Sequence, residues 1–75
     1  HVFPNPANDF IIIDYELVML GKLRLIAQDG RICYSQNLNA GRNQLMICLN
    51  NFSPGVYIAT IVQDKKVISS KFTVK

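Results

Sequence analysis

Residues 52–62 (FSPGVYIATIV) decide how the rest of the chain is interpreted. Pro54 fixes its own φ at about −65° and Gly55 can adopt a positive φ, so this pair predicts a tight corner. The residues from Val56 onwards are almost all β-branched, aromatic or small, which predicts a long strand buried on both faces. Tyr57 suggests a tyrosine corner, in which the ring enters the core and the hydroxyl bonds to upstream backbone. That arrangement is typical of β-sandwiches.

A hairpin precedes this corner. Asp29 and Gly30 separate two alternating segments, and Asp-Gly is a preferred pair for a two-residue type I′ turn, in which both central residues need φ > 0. A hairpin centred on this pair aligns two pairs of residues: Gln28 with Arg31, and Leu25 with Tyr34.

Alternation of apolar and polar side chains predicts which residues enter the core. Lys22 and Arg24 alternate with two leucines and should therefore lie in water. The segment from Tyr15 to Leu20 is ambiguous, since it fits either an extension of the second strand or a crossing between sheets. The predicted inward side chains are Leu23, Leu25, Ile32, Tyr34, Leu45, Ile47, Leu49, Phe72 and Val74.

The two cysteines have opposite interpretations in two topologies. Polar residues mark a loop between their strands: Asn37, Asn39, Gly41 and Asn43. If the strands of Cys33 and Cys48 form a hairpin, the cysteines lie opposite each other and can form a disulfide. If the chain crosses between sheets at this loop, they lie on the outward faces of opposite sheets, too far apart to bridge. The crossover is favoured because the Asp29–Gly30 hairpin already gives the Cys33 strand a partner, so two free thiols are expected.

About seven short strands with frequent turns, and no helical periodicity, predict an all-β fold. We expect a seven-stranded immunoglobulin/fibronectin III-like β-sandwich with Greek-key topology. The length of 75 residues allows one domain, residues 1–75, which we expect to be excised from a larger secreted protein. No apolar run reaches the roughly 20 residues of a membrane span.

The sequence lacks the residue patterns of catalytic and cofactor sites. Its only histidine is His1, so neither a cysteine nor a serine has a plausible base within the fold. Asp9 and Asp14 flank an apolar run and are interpreted as turn and strand-end residues. Phosphate-binding glycine loops, zinc-ligand spacing and a nucleic-acid surface of basic and aromatic residues are missing. We expect no catalytic activity, no cofactor, no metal and no nucleic-acid partner.

Four segments, in order, resemble the C-terminal sorting domains of the type IX secretion system. The first is VFPNPAND, residues 2–9, which contains Pro4, Asn5 and Pro6. The second is GKLRL followed by DGR, residues 21–25 and 29–31. The third is SPGVYI, residues 53–58, and the last is KFTVK, residues 71–75. Ala27, where the family often has aspartate, and the two cysteines depart from the family pattern.

The resemblance implies a signal that directs an N-terminal cargo domain from the periplasm through the outer membrane of a Gram-negative bacterium to the cell surface. It also implies recognition by the type IX translocon and, usually, removal by a sortase-like surface peptidase. The alternative is a fibronectin-like module that binds a glycan or protein, or a structural spacer. Exposed strand edges could also allow self-association.

The residues expected to matter fall into two groups. The final strand is the hypothesised recognition segment, because an edge position would suit strand addition; its residues are Lys71, Phe72, Thr73, Val74 and Lys75. The residues expected to be structural are Pro4, Asn5, Pro6, Asp29, Gly30, Pro54, Gly55 and Tyr57.

Overall fold

Seven strands form two antiparallel sheets that pack face to face in the computed structural model, which describes residues 2–75. One sheet has three strands in the order β1-β2-β5, and the other has four in the order β4-β3-β6-β7. The strands are β1 (Val2–Phe3), β2 (Phe10–Leu17), β3 (Gly21–Ala27), β4 (Ile32–Leu38), β5 (Gly41–Cys48), β6 (Gly55–Gln63) and β7 (Lys66–Val74). His1, the only histidine of the sequence, lies outside the described residues.

This strand order confirms the predicted immunoglobulin/fibronectin III-like sandwich. The chain changes sheets after β2, β4 and β5, whereas β3–β4 and β6–β7 are hairpins within the larger sheet. The inward side chains of both sheets form one core. Its largest fully buried members are Phe72, Ile11, Ile13, Leu23 and Leu25.

The central strand β6 is buried on one face only, which corrects the two-sided burial predicted from its composition. Tyr57, Ala59 and Ile61 are buried, but Ile58 between them is 41% exposed. A two-layer sandwich covers each sheet on one side, so the outward residues of even a central strand remain at the surface. Burial in the core therefore does not explain why the outward residues of β6 are β-branched.

The passage from β4 to β5 confirms the predicted crossover and places the cysteines on opposite sheets. Cys33 lies in β4 and Cys48 in β5, and both are exposed free thiols. The predicted polar loop was too long, because β4 continues to Leu38 and β5 begins at Gly41, which leaves two residues between them. Asn37 and Asn43, predicted in the loop, are exposed residues of β4 and β5.

The ambiguous segment after Asp14 both extends β2 and crosses between sheets. β2 runs to Leu17, so the interpretation of Asp14 as a strand-end residue was wrong. Val18 and Met19 then leave the sheet, and their backbone N–H groups donate to Oε1 of Gln63, at 2.7 and 3.2 Å. Gln63 is the buried polar residue of the described chain, and these bonds satisfy its carbonyl oxygen while fixing the crossing segment.

The Asp29–Gly30 hairpin forms, but not with the predicted type I′ turn. Gly30 N–H donates to the Ala27 carbonyl at 2.9 Å, and Ala27 N–H donates to the Arg31 carbonyl at 2.8 Å. Gly30 has φ 90°, whereas Asp29 has no positive φ. This is the longer hairpin loop that ends in a glycine bulge. The Asp29 side chain favours it, because its Oδ1 accepts the N–H of Arg31 at 3.1 Å.

A second bulge, at Cys33 in β4, explains which predicted pairs hold. Leu25 lies opposite Tyr34 as predicted, but the register shifts after Leu25, so Ile26 lies opposite Ile32. The predicted pairing of Gln28 with Arg31 is therefore wrong. The shift also places Ile32 beside the outward-facing Ile26, and Ile32 is 52% exposed instead of buried.

Replacing Gly30 with valine is expected to lower the free energy of unfolding by about 1–3 kcal/mol, because a β-branched residue is strained at positive φ. A Cβ added at this position would have no other atom within 4 Å, so crowding adds nothing. Gly30→Asn is the matched control, since asparagine tolerates positive φ. Urea unfolding of the two variants measures the difference, and equal stabilities would contradict the backbone explanation.

Candidate functional site

Parts of all four segments that resemble sorting-domain motifs meet at one end of the sandwich. At this end Gly55 at the start of β6 lies opposite Val74 at the end of β7, and Ala27 at the end of β3 lies opposite Tyr57. Ala7 forms a parallel bridge with Val74. We refer to residues 4–7, 28–31, 53–55 and 73–75 as the motif end.

The tyrosine corner is confirmed. The hydroxyl of Tyr57 donates to the carbonyl of Ser53 at 2.6 Å. The ring packs edge-on against Phe52, with centroids 5.3 Å apart, and is stacked on Phe72 at 5.7 Å. Tyr57 thus fixes the Pro54–Gly55 corner to the core and to the final strand, which supports the expected structural role of all three residues.

Tyr57→Phe is expected to lower the free energy of unfolding by about 1 kcal/mol, because it removes the corner hydrogen bond and leaves the ring in place. Tyr15→Phe is the matched control: Tyr15 is half-buried and packs against the core, and its hydroxyl forms no identified hydrogen bond within residues 2–75. Thermal melts compare the two variants. A Tyr57→Phe melt that coincides with the parent would contradict an energetic role for the corner.

A shallow hollow of about 240 Å³ lies between the Asp29–Gly30 turn and the corner. Its wall includes one carboxylate, Asp29, and one guanidinium, Arg31, beside Pro54, Gly55 and Val56. The Asp29 carboxylate already holds the turn, and the hollow brings no nucleophile and base together. Within residues 2–75 no three metal-ligating side chains form a cluster.

A strap, residues 5–7, covers the outer edge of β7 at the motif end. Ala7 N–H donates to the Thr73 carbonyl at 2.7 Å, and Lys75 N–H donates to the Ala7 carbonyl at 2.8 Å. The Asn5 side chain adds a third bond, because its Oδ1 accepts the N–H of Thr73 at 3.0 Å. Ala7 is fully buried beneath these contacts. The last residues of β7 therefore have partners on both sides.

Further upstream the outer edge of β7 is open. In an antiparallel ladder alternate residues direct both backbone groups away from the neighbouring strand, and Thr73 is such a residue. The β6–β7 register is continuous, so Lys71, Ser69 and Val67 share this orientation. No backbone hydrogen bond beyond the β6 ladder was identified for these three residues within the described chain.

The hypothesised recognition segment divides into core and surface residues. Phe72 and Val74 are buried, Thr73 is half-buried, and only Lys71 and Lys75 are exposed. The sequence interpretation treated the segment as one unit, although its alternation already separated the two faces. It did not find the strap, since no local pattern links Asn5 to a strand 68 residues away.

A family model described as the secretion system C-terminal sorting domain matches residues 1–75. The chain belongs to this family. It is a C-terminal sorting signal for type IX secretion, as the four motif segments predicted. No curated protein matches the chain.

Membership of the sorting-domain family has direct consequences for partners and destination. The domain interacts with the type IX machinery, is attached to an N-terminal cargo, and directs it to the cell surface or the extracellular space. The family is known for sorting and not for catalysis. Within residues 2–75 no helix is long and apolar enough to cross a membrane.

Proposed function

We propose that β7 and its strap form the surface that the outer-membrane translocon of a Gram-negative bacterium recognises. The domain is the single C-terminal unit, residues 1–75, of a larger secreted protein. It performs no chemistry itself. A sortase-like peptidase at the cell surface usually removes it after passage, so the domain is a substrate of that enzyme. The observation that carries the proposal is the position of β7, an edge strand with exposed lysines and an open upstream edge.

The backbone of β7 supports recognition by strand addition. An unpaired strand edge offers a row of N–H and C=O groups to a partner strand. In this domain the row consists of Val67, Ser69 and Lys71, and it ends where the strap begins at Thr73. A partner strand can therefore occupy the upstream part of β7 without unfolding the domain, and the strap limits how far the pairing extends.

The side chains of Lys71 and Lys75 support electrostatic selection of the partner. Both are exposed and no ion pair was identified for either within residues 2–75. Exposed charges at the rim of an interface mainly raise the association rate and select against partners of the same charge. Removing both should therefore weaken recognition while the core remains intact.

The test fuses residues 1–75 to the C-terminus of a periplasmic reporter in a strain with an active type IX system. Lys71→Ala combined with Lys75→Ala is expected to lower the surface-exposed fraction of the reporter several-fold. The measurement is protease accessibility of the reporter on intact cells.

The matched control is Lys65→Ala combined with Lys66→Ala; both residues are exposed, Lys65 in the β6–β7 turn and Lys66 at the first position of β7. It removes the same charge and should leave delivery unchanged. Circular dichroism of the purified domains verifies that both double variants fold. Equal delivery by the two double variants would overturn the assignment of Lys71 and Lys75 as recognition residues.

A further inference from the structure

The outward face of the four-stranded sheet carries an exposed row of isoleucines. Ile32, Ile26 and Ile58 occupy aligned positions on β4, β3 and β6, so their side chains lie next to one another across three strands. Ile32 is 52% exposed and Ile58 41% exposed, and Ile26 is half-buried between them. Adjacent exposed aliphatic residues of this kind mark interaction sites more often than isolated ones do. We call this surface the isoleucine face.

The charges on the isoleucine face have one sign. Lys71 lies opposite Ile58 and so extends the isoleucine row onto β7. Arg24 and Lys22 lie two and four residues before Ile26 on the same face of β3. None of the outward residues of β3, β4, β6 and β7 is an aspartate or glutamate. The outward face of the other sheet differs, because Glu16 and Arg42 lie opposite each other there and Asp14 is two residues from Glu16.

We propose that the isoleucine face binds an acidic protein segment that presents aliphatic side chains between its carboxylates. The aliphatic side chains would cover the isoleucine row, and the carboxylates would pair with Lys22, Arg24 and Lys71. The inference goes beyond sorting, since it does not depend on which strand the translocon reads. Charge complementarity of this kind sets the choice of partner and the association rate.

Two features favour a protein segment over a lipid surface. Proteins that bind at the membrane interface usually place aromatic side chains there, whereas Tyr57 and Phe72 of this sheet point into the core. The next row on this face consists of Ser35, Arg24, Thr60 and Ser69, whose side chains carry hydrogen-bonding groups suited to a polar partner.

The test uses the purified 75-residue chain and a synthetic ten-residue peptide of alternating glutamate and valine as the probe. The peptide is expected to shift the backbone amide resonances of β3, β4 and β6, and its Kd should rise with salt as the charges are screened. Arg24→Glu is expected to raise the Kd at least tenfold. Arg42→Glu, the same charge change on the opposite outward face, should alter it less than twofold.

Four results would overturn the proposal. The first is equal binding of a matched lysine–valine peptide, and the second is an equal loss of affinity in Arg24→Glu and Arg42→Glu. The third is binding to vesicles of phosphatidylglycerol and phosphatidylcholine, without binding to the acidic peptide, which would assign the face to a membrane. The last is dimerisation of the free chain in sedimentation, abolished by Arg24→Glu, which would assign it to a second copy.

Discussion

Phe72→Ala is expected to lower the free energy of unfolding by about 3–5 kcal/mol, the cost of emptying a well-packed aromatic site. Phe72 is fully buried, stacks on Tyr57 and lies opposite it across the β6–β7 ladder. Total stabilities of roughly 0.05–0.15 kcal/mol per residue leave a domain this small little reserve. The variant should therefore be largely unfolded in moderate urea, where the parent is folded. Chemical denaturation followed by circular dichroism measures the change.

Phe10→Ala is the matched control for this change. Phe10 is 39% exposed on β2 and its removal leaves the core filled, so the cost should be less than half that of Phe72→Ala. A Phe72→Ala variant as stable as the Phe10→Ala variant would contradict the packing of the final strand described above.

Deletion of residues 71–75 is expected to abolish surface delivery of a fused reporter and leave it in the periplasm. The deletion removes the exposed lysines that we propose as recognition groups. It also removes Phe72 and Val74 from the core and the Thr73 bonds that hold the strap. Cell fractionation, with protease treatment of intact cells, measures the outcome. Normal delivery of the truncated reporter would contradict any role for this segment.

Comparison with the lysine variants separates the two causes of that loss. The deletion is expected to affect both fold and recognition, whereas Lys71→Ala with Lys75→Ala should affect recognition alone. The Phe72→Ala variant keeps both lysines and destabilises the fold, and circular dichroism of the purified variant without urea measures its folded fraction. If that variant is unfolded without urea, delivery of its reporter at the level of the parent would mean that the segment is read without the folded domain, against the strand-addition proposal.

Most of the fold follows from local patterns in the sequence. Alternation predicted the burial of Leu23, Leu25 and Phe72, and the Pro54–Gly55 corner with its tyrosine predicted the sandwich. These signals suffice because a strand in a two-layer fold buries every second residue. The crossover was also predictable, since one hairpin already supplied the Cys33 strand with a partner.

The errors have physical causes that the local pattern does not contain. Asp-Gly fits two hairpin loops, and the choice between them depends on the Asp29 side chain bonding to Arg31. The exposure of Ile32 follows from the bulge at Cys33, because an extra residue in one strand reverses the face to which its neighbour points. The β-branched outer face of β6 resembles a buried strand in composition, although only one side is covered.

The candidate site was predicted in part. Each of its four segments was identified from its motif, but their meeting at one end of the sandwich is a product of topology. The strap depends on a contact between Asn5 and Thr73, which are 68 residues apart, and no periodicity reports such a contact. Alternation does predict that Lys71 and Lys75 are exposed, but it groups Thr73 with them, and Thr73 is half-buried.

The strap also sets the order in which the domain can be completed during export. A chain that crosses a membrane from its N-terminus presents Asn5 and Ala7 long before Thr73, and their hydrogen bonds must wait for β7. Until then Tyr57 lacks Phe72 and β6 has an open edge. Contacts so distant in sequence form late in folding. The finished motif end therefore forms only after everything preceding Thr73 has crossed. A translocon that binds only the finished form would not engage a half-exported cargo.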